Sequence, residues 1–416
     1  MDRLAGPPTA DTPSPTPSDN RTGPPAARRA VRRTAALLAA AALATVPLTS
    51  GTAHAAGEGL QDRQWGLGTV NAREAWETTR GEGVTVAVLD TGVDATHPDL
   101  TGSVLEGKDL IGFGAQRGDP AWARHGTAMA GIIAGHGHDT GDAHGVLGVA
   151  PGAKILPVRV LLEEDDDARD EARRTRGDAL AEGIRWAADN GADVINLSLG
   201  DDSDSAHPDP QQDAAVRYAL RKGVVVVASA GNDGKDGDHV SYPAAYPGVI
   251  AVTAVDENGR RADFSTRRWY ATVAAPGDDV IITEPDRLYY EGWGTSVAAA
   301  FVSGAAALVT AAHPDLTPAQ VRQLLADTAQ NTPPGGRSDA LGTGVVDAAA
   351  AIEMGATVRP QSLEKGVQPY PERYFGAGPD DAPGGFDWLA LTGGACGALL
   401  IAGAVALQRG ARGRTR

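Results

Sequence analysis

The chain has 416 residues, 42% of them hydrophobic, with a formal net charge of −16. That length fills one large core or two modest ones, and the acidic balance excludes nucleic acid as a natural partner, because phosphates would be repelled. The one cysteine, Cys396, excludes an intramolecular disulfide, so any exported part is held by packing or by metal.

Residues 1–55 have the order of a signal peptide. A basic Arg28-Arg29-Ala30-Val31-Arg32-Arg33 precedes the apolar run Thr34 to Leu48, and Ala53-His54-Ala55 supplies a small-x-small cleavage site. Residues 56–82 form a lead-in with one short helix, too short to bury a core alone, so Trp65 and Trp76 are expected to pack it onto the domain that follows. Val84 to Leu89 is continuously apolar, as in a parallel strand buried on both faces. It ends in Asp90-Thr91-Gly92, where open α/β sheets keep their chemistry, although an aspartate there also caps turns. His125 opens a helix of small residues, whose Gly and Ala let it approach a neighbouring strand. His136, His138 and His144 fall in a Gly-rich surface loop.

Ala153 to Leu162 is the next strand, and the charge run Glu163 to Arg176 reads as a solvated loop. Asp178 caps a helix with Leu180, Ile184 and Ala187 on one face, closed by Asn190-Gly191. Val194 to Gly200 is a buried strand, Gln211 to Lys222 a helix, and Val224 to Ala228 a strand that turns off at Ser229-Ala230-Gly231-Asn232. Alternating strands and helices predict an α/β fold, a central, mostly parallel sheet flanked by helices.

Ser296 follows Trp293-Gly294-Thr295 and opens an uncharged run from Val297 to Ala312, a helix buried on all sides. A serine there serves either as an N-cap or as a nucleophile beside unpaired backbone N–H groups. Thr317-Pro318-Ala319-Gln320 is a capping box. A last Ala-rich helix starts at Gly344-Val345-Val346-Asp347-Ala348 and ends near Gly355. Residues 357–387 read as a Pro/Gly-rich linker. Residues 388–408 carry no charge and match the ~20 residues a spanning helix needs. The basic tail, 409–416, suits the cytoplasmic side.

Three blocks, Asp90-Thr91-Gly92, His125-Gly126-Thr127 and Gly294-Thr295-Ser296, stand in the Asp, His, Ser chain order of subtilisin. With His97-Pro98-Asp99-Leu100, Gly145 to Pro151, Ser198-Leu199-Gly200, Ala230-Gly231-Asn232 and Tyr242-Pro243, residues 83–356 resemble the subtilisin-like serine proteases. The resemblance implies a subtilisin-like three-layer fold and a serine endopeptidase acting on protein or peptide substrates. It assigns Asp90, His125 and Ser296 to catalysis and Asn232 to the oxyanion hole. Ser198, Leu199, Gly200 and Ser241 would bind substrate. Ser241 replaces a glycine usual in the family, which implies a shortened primary pocket for small or medium apolar residues. Asp233 at its mouth and the acidic surroundings would favour basic residues elsewhere in the substrate.

No cofactor is required and no metal ligand is assigned, though Asp99 and Asp142 fall where relatives bind structural calcium. The nucleophile block departs from the family's usual Met-Ala-Ala-Pro-His, reading Val297-Ala298-Ala299-Ala300-Phe301. Together with the membrane signals, its ending in Phe-Val-Ser-Gly is similar to the mycosins. That implies a single-pass protein of the cell membrane, its peptidase domain outside the cytoplasm, with type VII secretion machinery as partner. The alternative is a structural subunit of a secretion complex in which the protease fold is mainly a scaffold.

Overall fold

Numbered in chain order, the strands are β1 (Thr85–Asp90), β2 (Lys108–Asp109), β3 (His136–His138), β4 (His144–Leu147), β5 (Lys154–Arg159), β6 (Val194–Leu197), β7 (Val225–Ser229), β8 (Ile250–Val255), β9 (Ala271–Pro276), β10 (Val280–Thr283) and β11 (Tyr289–Gly292). The helices are α1 (Trp65–Thr69), α2 (Ala72–Ala75), α3 (Arg124–Ala134), α4 (Arg169–Thr175), α5 (Ala179–Asp189), α6 (Pro210–Arg221), α7 (Thr295–Ala312), α8 (Pro318–Asp327) and α9 (Ala348–Gly355). The computed structural model of the chain describes residues 59–139, 144–203 and 206–363. The expected signal peptide, the linker from residue 364 on, the membrane helix, the tail and Asp142 lie outside the described residues.

Seven strands form one sheet in the order β2-β5-β1-β6-β7-β8-β9, with every pairing parallel. From β1 the sheet grows one way to β5 and the other way to β6, so the carboxyl end of β1 is the topological switch point, where such sheets open a crevice. Successive β1 side chains point to opposite faces. Val86 and Val88 join the core with α3, α7 and α8, whereas Ala87 and Leu89 join the one with α5 and α6. This is the three-layer subtilisin-like α/β arrangement that the alternation of elements predicts.

Among the described helices α7 is long and apolar enough to cross a membrane by length and composition, but 78% of it is buried. It is the core helix. Gly304 permits its close seat: a Cβ there would stand 2.5 Å from the Val149 Cβ. The lead-in makes two short helices where one is expected. Trp65 Nε1 donates to Asp279 O at 3.0 Å and Trp76 Nε1 to Val149 O at 2.8 Å.

Other departures have local causes. The charge run is not wholly loop, since α4 forms within it and turns Ala172 inward. The histidine loop is a hairpin, β3–β4, in which His138 Nδ1 meets Asp99 Oδ1 at 2.6 Å. Asp178 precedes α5 in the αR region, and its side chain makes no capping hydrogen bond. The last helix begins only at Ala348, because Asp347 is its N-cap and accepts from Ala350 N.

Candidate active site

Asp90 ends β1 fully buried, and Oδ1 accepts the Thr91 N–H at 2.7 Å. His125 Nδ1 lies 2.8 and 2.9 Å from its two carboxylate oxygens. Glycine makes this approach available. A Cβ on Gly126 would stand 2.0 Å from Gly92 O and 3.2 Å from the Asp90 Cβ. Two hydroxyls lock the helix to the strand end: Thr91 Oγ1 accepts from Gly126 N at 3.1 Å, and Thr127 Oγ1 from Asp94 N at 2.9 Å. Each threonine of the Asp-Thr-Gly and His-Gly-Thr blocks thus has a partner in or beside the other block.

Nothing in the sequence pattern singles out Glu163. Its carboxylate is buried and accepts the His125 backbone N–H at 2.9 Å. Helix α3 needs such a group, because its own N-cap, Ala123, sits in the αL region without a side-chain acceptor. Burial disfavours the imidazolium of His125, but Asp90, by charge and hydrogen bond, with Glu163 and Glu164 behind it, outweighs that and pushes its pKa up to about 9. With 36% of the side chain open to the cleft, solvent screens part of this charge effect. Nδ1 is held by the carboxylate, which leaves Nε2 as the proton acceptor of the neutral ring.

Ser296 lies in the first turn of α7. It is not the N-cap; that is Gly294, whose φ of 132° suits glycine alone. The Ser296 N–H is among the first four of the helix, which lack helical carbonyl partners. Its hydroxyl donates to Ser198 O at 3.1 Å, and Ser198 Oγ donates back to Ser296 O at 2.8 Å. Beneath them Asn196 Nδ2 donates to Ser198 Oγ at 3.0 Å and Ser303 Oγ to Asn196 Oδ1 at 2.9 Å. Asn196 and Ser303, both fully buried, tie β6 to α7. The signal for them was a polar residue inside each of two apolar runs.

Asn232 Oδ1 accepts from Thr295 N at 2.9 Å and from Thr295 Oγ1 at 3.0 Å. With the carbonyl end so fixed, Nδ2 is the donor left over. Asn232, Ser296 and His125 line one cleft with Ser198, Leu199 and Gly200. Asp90 stands behind His125, outside the lining itself, and Asp99 lies away from the cleft with His138 and Tyr289. Ser241 lines the cleft too, 1% exposed, its hydroxyl without a hydrogen-bond partner. Asp233, at the mouth, has its carboxylate against His239 Nδ1.

Asp99 does not fit a calcium ligand. Its buried carboxylate already accepts from His138 Nδ1 at 2.6 Å, Val146 N at 2.9 Å and Tyr289 OH at 2.9 Å. Those donors take the place a cation would fill. Among the described residues no group of three or more His, Cys, Asp or Glu is arranged to hold a metal ion.

The chain matches Peptidase S8, the subtilase family, over residues 81–358. Fervidolysin of Fervidobacterium pennivorans is 38% identical over 74% of this chain and 46% of its own length. Subtilisin DY of Bacillus licheniformis is 39% identical over 66% of this chain and 92% of its own. The chain thus spans less than half of the first relative and nearly all of the second. A solved structure of the MycP3 protease from the type VII (ESX-3) secretion system superposes with a TM-score of 0.58 at 33% identity, covering 69% of this chain and 87% of that one. This chain belongs to the subtilase family of subtilisin-like serine endopeptidases.

Proposed function

We propose that this chain hydrolyses peptide bonds through an acyl-enzyme, with Ser296 as nucleophile, His125 as base and Asp90 as its orienter. The observation that carries this is the paired contact of His125 Nδ1 with the buried Asp90 carboxylate, in the same cleft as Ser296. In the resting site the Ser296 hydroxyl rests on Ser198 O. A substrate strand that pairs with Ser198-Leu199-Gly200 takes that carbonyl and frees the hydroxyl to turn to His125 Nε2. Ser296 Oγ then attacks the scissile carbonyl while its proton passes to Nε2. The negative charge forms on the substrate oxygen, where Asn232 Nδ2 and the Ser296 N–H donate. The imidazolium, steadied by Asp90, next gives its proton to the leaving amine as the C–N bond breaks, and water repeats the sequence on the ester.

Single replacement of Ser296, His125 or Asp90 by alanine in the full-length chain should each lower peptide turnover by roughly 10⁴-fold or more, since the three act as one unit. Turnover in Ser296→Ala within tenfold of the parent would sink the assignment. The base works only when neutral. Because its pKa is raised, His125 is protonated and idle at low pH, and activity should climb with an acid limb between 6.5 and about 9. Glu163→Gln keeps an acceptor for the His125 N–H but removes a charge that favours imidazolium. The limb should therefore move down by roughly half a pH unit to one unit. A limb unmoved or moved upward would contradict this electrostatic role.

We further propose a membrane-anchored enzyme of the mycosin kind, outside the cytoplasm and linked to type VII secretion. Support comes from the signal-like residues 1–55, the uncharged residues 388–408 with arginines after them, and the likeness to the MycP3 protease. In cell fractionation the protein should sediment with membranes, and protease added to spheroplasts should remove all but a small tail. Full-length protein found free in the medium would count against the anchor.

A further inference from the structure

At the primary specificity end of the cleft, two glycines let Ser241 and Asp202 pack close against the walls of a slot. A Cβ on Gly200 would stand 2.5 Å from Ser241 Oγ, and one on Gly231 would stand 3.3 Å from both the Ser241 Cβ and Asp202 Oδ2. One wall is Ser198-Leu199-Gly200, continued to Tyr242 by the reciprocal backbone hydrogen bonds of Asp201 with that residue. The opposite wall is Ala230-Gly231-Asn232. Asp202 reaches across from the first wall to the second, where its Oδ2 accepts the Asn232 N–H at 3.0 Å. Two features in the slot lack a counterpart. Ser241 is 1% exposed with a hydroxyl that has no partner, a state a native core rarely leaves unexplained. Asp202, partly exposed, is paired with no cation among the described residues, whereas Asp165, which lines the same cleft, has Arg124.

We propose that Asp202 is the primary specificity residue, and that the slot it shares with Ser241 takes a cationic side chain, arginine or lysine, just before the scissile bond. The proposal rests on the reading of the chain as an endopeptidase and names its substrate class. A guanidinium or ammonium group supplies several donors and no acceptor. It matches an unpaired carboxylate oxygen and an unpaired hydroxyl, while an apolar side chain would leave both unsatisfied and dehydrated. Ser241 as a plug alone would favour small or medium apolar residues, but the Asp202 carboxylate from the neighbouring wall adds a charge that they cannot meet. Serine does shorten the slot. It also places a hydroxyl acceptor at its base, as a methyl group would not.

The test compares kcat/KM of the full-length protein and its Asp202→Asn variant on peptides that differ only in arginine, lysine, leucine or alanine before the cleaved bond. Asparagine keeps an acceptor for the Asn232 N–H, so the tie between the walls survives and only the charge goes. The wild type should favour arginine or lysine over leucine at least tenfold. Asp202→Asn should lose that preference, with leucine turnover within about threefold of wild type. Preference for leucine or alanine in the wild type overturns the proposal, and so does an equal loss on all four peptides, which would make Asp202 a structural tie. Leucine turnover also separates this failure from failure of the endopeptidase reading. If no peptide is cleaved, binding of benzamidine, a planar cation, is read by thermal shift. Stabilisation of the wild type and not of Asp202→Asn supports the cation slot; none in either rejects it.

Discussion

A carboxylate buried at the end of a strand needs partners within the protein, and the Asp90–His125 contact is the one around which the other parts are arranged. Asp90 is 0% exposed. Left unpaired, such a charge would cost several kcal/mol or take up a proton. The fold supplies the Thr91 amide from its own turn and the imidazole of His125 from α3. For the imidazole to arrive, α3 must press on the turn after β1, and Gly126 against Gly92 O is where the backbones meet. Glu163 then holds the start of the helix by its His125 amide. Position, tautomer and raised basicity of the histidine all follow from that one packing event.

The serine half of the site has a different support. Ser296 rides on a helix buried deep between sheet and outer helices, and Asn196, Ser198 and Ser303 fasten it to β6. Buried polar groups of this kind hold one arrangement only when satisfied, and these are. The cost is a resting hydroxyl pointed at Ser198 O. In the proposed mechanism substrate redirects it, so recognition of the peptide backbone and activation of the nucleophile would use the same carbonyl.

Much of this was legible in the residues. Apolar runs marked β1, β6 and β7, and the capping box of Thr317 and Gln320 forms as read. The blocks around Asp90, His125 and Ser296 could be recognised because each needs a particular small residue beside the functional one. What escaped has a common character. Glu163 opens a run of like charges, and pattern alone does not reveal that its first member turns inward. Strands β10 and β11 are four residues each, too short for a side-chain period to show, and they pair only as a local antiparallel hairpin across residues 284–288. Asp202 gains its meaning from Gly231 and Ser241, residues some thirty to forty positions away, which no local pattern reports.

Activation of Ser296 by the Asp90–His125 pair is the central claim. The most direct measurement is mass spectrometry of the full-length protein after brief exposure to a fluorophosphonate. A single adduct on the peptide containing Ser296, formed far more slowly in the His125→Ala protein, is the result expected. Labelling elsewhere with Ser296 untouched, or labelling of Ser296 at the same rate without His125, would contradict it.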